Sequence, residues 1–239
     1  AIGNIVQNIS PDNVTRQVAN AHTIFNVSNT LIMIPFIKYL ILLVNKIVPG
    51  EEVVEKAGPK YLDDRLLETP IIASGQVMKE TVRMATKAKE NLMLSIEAFN
   101  TDDEALAKKV YSNEKLINIL EESITSYLVK LSQTDISDKE NEVLQSTYYV
   151  VNDIERIGDH AENIADLTLE KINRGLTHSK EAEGELKNIF SYTLNALELA
   201  IDAYEHRDAN KAEGVYPLEE KVDELQREYR EAHIKRLNE

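Results

Sequence analysis

The stretch Asn152-Asp-Ile-Glu-Arg-Ile-Gly-Asp-His-Ala-Glu-Asn-Ile-Ala-Asp166 carries the residues most able to do chemistry. Glu155, Asp159, Glu162 and Asp166 recur at steps of four, three and four. On a helix turning about 100° per residue those steps place four carboxylates in one narrow row. Like charges at such spacings destabilise a helix, and a bound cation offsets the repulsion. Carboxylate oxygens suit magnesium, calcium, manganese or iron. The competing reading is a solvated acidic face, partly relieved by Arg156 and Lys171, and helix physics alone favours it. Glu219 and Asp223 repeat the four-residue spacing. Glu114 and Asn118 do so with an amide in place of the second acid, a weaker ligand pair. This recurrence brings the metal reading level with the solvated one. His160, inside the stretch, reads as a packed or surface histidine rather than a ligand.

Elements must hold these rows in place. Val150, Ile154, Ile157, Ala161, Ile164 and Ala165 form an apolar stripe beside the acidic one, so the segment is a helix with one face on a core. It is expected over 138–174, opened by Ser137-Asp-Lys-Glu140 as a capping box and stopped at Gly175. A helix near 70–100 precedes it. A second, near 102–133, is opened by a capping box at Thr101-Asp-Asp-Glu104. Two more are expected near 179–206 and 208–237, the last with a kink or late start at Gly214 and Pro217.

The region repeats itself at an offset of 105 residues. Leu92, Leu94, Ile96, Ala98, Asp103, Ala107, Val110, Tyr111, Glu114 and Leu120 match Leu197, Leu199, Ile201, Ala203, Asp208, Ala212, Val215, Tyr216, Glu219 and Leu225. Ten identities in thirty ungapped positions indicate a duplicated three-helix unit. By the offset, a sixth helix would begin near position 243, past the last residue, 239. With a first residue of Ala1 rather than Met, this leads us to expect a fragment.

The 239 residues include 41 acidic and 27 basic ones, a net charge of -14, and no Cys. The acidic balance argues against a nucleic-acid partner, and the lack of Cys excludes disulfides and thiolate sites. Residues 1–50 differ, with Arg16, Lys38 and Lys46 against Asp12 alone. Thr23–Val44 holds 15 apolar residues in 22, with Lys38 its only charge. As a helix it spans roughly 33 Å, about one hydrocarbon core, so a transmembrane helix is expected, with a buried soluble helix as the alternative. His22, Asn26, Ser28, Asn29, Thr30 and a kinking Pro35 suit a multi-helix membrane bundle. Lys46, Lys56, Lys60 and Arg65 follow the span and only Arg16 precedes it, which puts the C-terminal side in the cytoplasm. The expected organisation is a membrane segment over 1–50, a Pro/Gly-rich linker over 51–69 and a helical domain over 70–239, with repeat one at 70–174 and a partial repeat two at 175–239.

Glu155 to Ala165 resembles the signature of PhoU-type phosphate-response regulators. The resemblance implies a duplicated three-helix bundle whose E/D-x-x-x-D motifs hold iron or zinc clusters on the surface. Glu155/Asp159 and Glu219/Asp223 match that motif, Glu162/Asp166 matches by spacing, and Glu114/Asn118 departs from it. Residues 19–36, with His22, Phe25 and Asn26, resemble the late part of the sodium/phosphate cotransporter family, some bacterial members of which carry a C-terminal PhoU-like domain. That family's Gln-Ser-Ser-Ser motifs are absent, so no phosphate or sodium ligand is assigned.

Together these readings give an all-α protein: one transmembrane helix followed by a PhoU-like bundle lacking its sixth helix. The implied function is part of a sodium-dependent phosphate transporter of the bacterial plasma membrane, with a cytoplasmic regulatory domain. The alternative is a membrane-tethered phosphate-signalling adaptor without transport. Expected partners are inorganic phosphate, sodium as coupling ion, membrane lipid, and a protein partner or a second copy. No Gly-rich phosphate loop, Ser/His/Asp set or two-His zinc motif is present, so no enzyme is expected.

Overall fold

The computed structural model describes residues 13–36 and 58–238, together with Val6 and Pro11. All secondary structure among the described residues is helical. The chain divides into two units, Ala1–Glu55 and Lys56–Glu239.

In the first unit, α1 spans Val14–Met33, and the Asn13 side chain caps it by accepting from the Arg16 N–H. A 3-10 turn follows at Ile34–Phe36. Pro35 sits in that turn, where its missing N–H and its ring clash with the preceding turn interrupt α-helical bonding. The helix starts well before Thr23, and residues 37–44 of the expected span lie outside the described residues. Among the described residues no helix is long and apolar enough to cross a membrane. The polar groups from Asn20 to Thr30 dilute the apolar content of α1, which buries none of its residues.

The second unit is built on α2 (Pro70–Thr101), α3 (Glu104–Ser132) and α4 (Asp138–Arg174), packed as a three-helix bundle. Met84, Ile117, Leu120, Ile124, Leu131 and Val151 fill its centre. α5 (Lys180–His206) lies on α2 and pairs with α7 (Tyr216–Asn238), and a short α6 (Ala209–Glu213) joins the two. Phe190, Leu194 and Leu197 of α5 cover a second cluster around Leu92, Val110 and Ala161. Ser137 and Glu140 form the expected capping box, and Gly175 ends α4 with φ 62°. The chain breaks at Gly214 and restarts at Tyr216, so Pro217 sits in a first turn, where no intrahelical N–H is needed.

The expected box at Thr101–Glu104 is not formed. Thr101 is the last residue of α2 and its hydroxyl donates back to the Glu97 carbonyl. Asp102 takes the left-handed conformation, φ 55°, and Asp103 caps α3 by accepting from Ala105 and Leu106 N–H. The same turn recurs 105 residues on. Arg207 has φ 52°, and Asp208 accepts from Asn210 and Lys211 N–H. Asp103 N–H donates to Ala98 O and Asp208 N–H to Ala203 O. The duplication is thus visible bond by bond.

The expected linker, 51–69, is structured over its described part. A 3-10 helix, Asp64–Glu68, brings Leu62, Leu66 and Leu67 onto the core. The fully buried Glu80 of α2 accepts from Lys60 N–H at 2.8 Å, Tyr61 N–H at 2.6 Å and Arg83 Nε at 2.6 Å. Arg83 also donates to the Gly58 carbonyl at 2.7 Å. Tyr127 donates to the Asp63 carbonyl, and Lys130 pairs with Asp64. Removing one partner of a buried pair costs about 3–5 kcal/mol. Glu80→Ala is therefore expected to lower stability by about 3 kcal/mol in urea melts and to strip the Lys60 and Tyr61 amides of hydrogen-exchange protection. Unchanged protection at those two amides would refute the clamp.

Candidate functional site

α3 and α4 run antiparallel, since Tyr111 meets Asp166 near one end of the shared seam and Glu114 meets Gly158 further along it. Val110, Glu114 and Ile117 fall on one face of α3, so Glu114 stands within the apolar row and is only 2% exposed. A Cβ at Gly158 would overlap the Glu114 carboxylate as it lies, so a larger residue there would make that side chain shift. Both Glu114 oxygens lack a hydrogen-bond partner, as does Oδ1 of Asn91, whose Nδ2 donates to the Val110 carbonyl. Burial pushes the Glu114 carboxyl up to about 7, helped by the charges of Asp159, Glu162 and Glu155 and opposed by the nearby Asn91 amide. An ionised carboxylate in such a place requires a counter-charge or a proton.

The α4 row borders this carboxylate. Glu155 and Glu162 are half-buried, while Asp159 and Asp166 are exposed. Burial raises the Glu155 carboxyl, Asp159 and Glu121 add to the shift, and Arg156 opposes it. Tyr111 donates its hydroxyl to Asp166 Oδ1 at 2.5 Å. That bond, then burial and the Asp166 and Glu162 charges, raise the Tyr111 phenol to about 12, so it stays a neutral donor at physiological pH. The expected local relief is largely spent elsewhere. Lys171 pairs with Asp102 at 2.8 Å and donates to the Phe99 carbonyl, and Arg156 lies nearest Asp153 at 3.6 Å. His160 lines an apolar cleft between α2, α4 and α5 with Ile157, Ile164 and Phe190, rather than the acidic row.

The six expected ligands do not form one site. Glu155, Asp159, Glu162 and Asp166 share the seam, whereas Glu219 and Asp223 are exposed on α7 and contribute nothing to the fields on Glu114 or Glu155. Asn118 is exposed on α3. Among the described residues no three carboxylates or histidines stand close enough, as placed, to hold a metal ion. A cation shared by Glu114, Asp159 and Glu162 would require their side chains to turn toward one another. The donor set fits a hard or intermediate cation, and the orphaned Glu114 carboxylate is the group that such a cation would satisfy. The sequence reading ranked Glu114 low and passed over Gly158 and Tyr111. The available signals were an acid within an apolar row and a glycine in mid-helix.

The Glu114 shift fixes a sign. Its folded value, about 7, exceeds its ordinary 4.5, so the folded chain holds the extra proton. That contribution is complete below about pH 4.5 and is lost as pH rises to about 7, a change of about 3 kcal/mol. In chelator, the stability difference between wild type and Glu114→Gln is expected to follow this slope. Parallel pH–stability curves would refute it.

The model of the PhoU domain family matches residues 81–168 and 186–239, more than half of the chain. YjbB of Escherichia coli (strain K12), a protein named for inorganic phosphate export, is 23% identical over 219 residues, covering 91% of this chain and 40% of its own length. PhoU homolog 1 of Thermotoga maritima, named as a phosphate-specific transport system accessory protein, is 29% identical over 167 residues, 66% of this chain and 67% of that one. The accessory protein PhoU of Escherichia coli (strain K12) is 26% identical over 151 residues, 62% of this chain and 61% of its own. No solved structure matches. The chain spans well under half the length of the YjbB relatives, but the duplicated turn, the helical bundle and the family match agree, and the chain belongs to the PhoU domain family.

Proposed function

We propose that this chain is part of a phosphate-moving membrane protein, in which the bundle of residues 58–238 regulates phosphate passage through a segment that includes α1. One observation carries the reading. The match to YjbB covers 91% of the chain, too broad to be confined to the bundle, so it reaches into the N-terminal unit. A pure accessory role rests on the PhoU relatives, which match about two thirds of the chain or less. In this reading α1 belongs to the bilayer, sodium is the coupling ion, the membrane is the bacterial plasma membrane, and the bundle lies on its cytoplasmic side. α1 supports a membrane role through exposed Phe25, Val27, Leu31, Ile32 and Met33, and through a polar pair, His22 and Asn26, joined at 3.1 Å.

The regulatory half rests on the α3–α4 seam. Glu114, Asp159 and Glu162, with Glu155 beside them, would hold a cation such as iron, zinc or manganese. The cation would supply the positive charge that the orphaned carboxylate lacks. Its loss would leave that charge buried and unpaired, so occupancy and bundle stability are linked.

Two measurements test the two halves. Phosphate flux is measured in proteoliposomes holding the whole gene product, with and without a sodium gradient. Sodium-dependent flux supports the proposal, flux indifferent to sodium removes the coupling ion, and no flux in either condition leaves the adaptor reading in its place. Separately, Glu155→Ala with Asp159→Ala is expected to abolish metal retained on purification, and unchanged metal content would sink the seam as a site.

A further inference from the structure

The two repeats are covered unequally. Twelve residues of α2 and nine of α3 are buried, against one each on α5 and α7. In the first repeat the third helix does the covering: Ala161 and Ala165 of α4 close over Ala98, Ala107 and Val110, which are fully buried. The matching Ala203, Ala212 and Val215 instead line a mostly apolar cavity of about 580 Å³ between α2, α4, α5 and α6. A second apolar cavity, of about 400 Å³, follows on the same side of α5, lined by Ile157 and Ile164 of α4 with Ile189 and Phe190. Together they form a groove between α4 and α5 that runs from Ile189 to Arg207, about 27 Å of helix. Its length and apolar walls suit one amphipathic helix.

One charge at the end of the groove is unspent. In the first repeat the left-handed turn residue Asp102 pairs with Lys171 of α4 at 2.8 Å. The same turn in the second repeat carries Arg207, of opposite sign. Its Nε donates to Met78 Sδ at the cavity, and its guanidinium pairs with no carboxylate among the described residues. The duplication has kept the turn and reversed the charge at its head.

A repeat of this kind cannot bury its apolar face with two helices. We propose that the α4–α5 groove seats a helix of the same gene product, the third of the second repeat, latched by an ion pair between Arg207 and an acid on that helix. The repeat offset alone predicts that such a helix exists; the groove and Arg207 fix where it lies and which charge it carries. At the offset of 105, Ala161 and Ala165 correspond to positions 266 and 270, and Lys171 to position 276. Small residues at the first two let the helix approach Ala203 and Ala212 as α4 approaches Ala98 and Ala107, since interaxial distance follows the side chains at the contact. An acid at the third gives the Arg207 fork a carboxylate, which is the first repeat's pair with its signs exchanged.

The chain has no cysteine, so single ones report on the groove. Thr193→Cys and Ala200→Cys place one in each cavity, and Tyr149→Cys on the exposed face of α4 is the control for folding and reagent. Maleimide labelling is compared between the purified whole gene product and the same product ended after Glu239. The two groove cysteines are expected to label in the shortened product and to lose labelling in the whole one, while Tyr149→Cys labels in both. Groove labelling in the whole product overturns the seat. So does protection in both forms, because another part of the protein or a second copy then fills the groove. In the whole product Arg207→Asp is expected to restore labelling of Ala200→Cys, and Arg207→Asp together with lysine at position 276 to remove it again. A whole product indifferent to Arg207→Asp, or with no acid within one turn of position 276, overturns the latch.

Discussion

One carboxylate sets the terms for the middle of this bundle. Glu114 occupies a position in the apolar row of α3, with Gly158 of α4 against it and no hydrogen-bond partner for either oxygen. A neutral group of that shape would pack there at little cost, whereas an ionised one must find a positive charge. The surrounding sequence supplies the reverse, since Asp159, Glu162 and Glu155 all raise its proton affinity. Lys171 of α4 stands thirteen residues beyond Gly158 and is tied to Asp102. Packing and charge therefore disagree at one point, and only a proton or a cation from outside the fold reconciles them.

The rest of the molecule is arranged conservatively around that conflict. Apolar side chains of α2, α3 and α4 fill the core from Met84 to Val151, and α5 extends it with Phe190, Leu194 and Leu197. The turn between the first two helices of each repeat is built from the same left-handed residue and the same aspartate cap. Such repetition leaves little freedom in how the second repeat starts. Its two long helices each bury a single residue, Ala203 on α5 and Leu225 on α7, both at positions matching buried residues of the first repeat, Ala98 and Leu120.

The helices were legible because their signals are local. Ser137 with Glu140, Gly175 and the Gly214–Pro217 break act within a few residues, and each appears where the sequence placed it. The Thr101–Glu104 box failed for a local reason too. Two aspartates follow Thr101, and the second, Asp103, caps from the better position, which leaves Thr101 inside α2. The seating of the linker's described part on the core was illegible for a distant reason. Its prolines and glycines signal irregular chain, but Glu80, about twenty residues away in sequence, captures its backbone. The acidic row of α4 was readable as a periodicity, whereas Glu114 was not, because its importance comes from what faces it on another helix. Asn118 drew attention away from it by breaking a familiar spacing.

The Glu80 clamp has a mechanical consequence. One side chain holds two successive backbone amides, and its neighbour Arg83 holds the carbonyl of Gly58 just before them. Tension applied along the chain at Gly58 meets these bonds together as a shear joint, instead of unzipping the first turn of α2 residue by residue. The load enters the bundle at Glu80, ten residues into α2 and next to the central Met84, so the strap works as a lever arm seated in the core rather than as a tether on its rim.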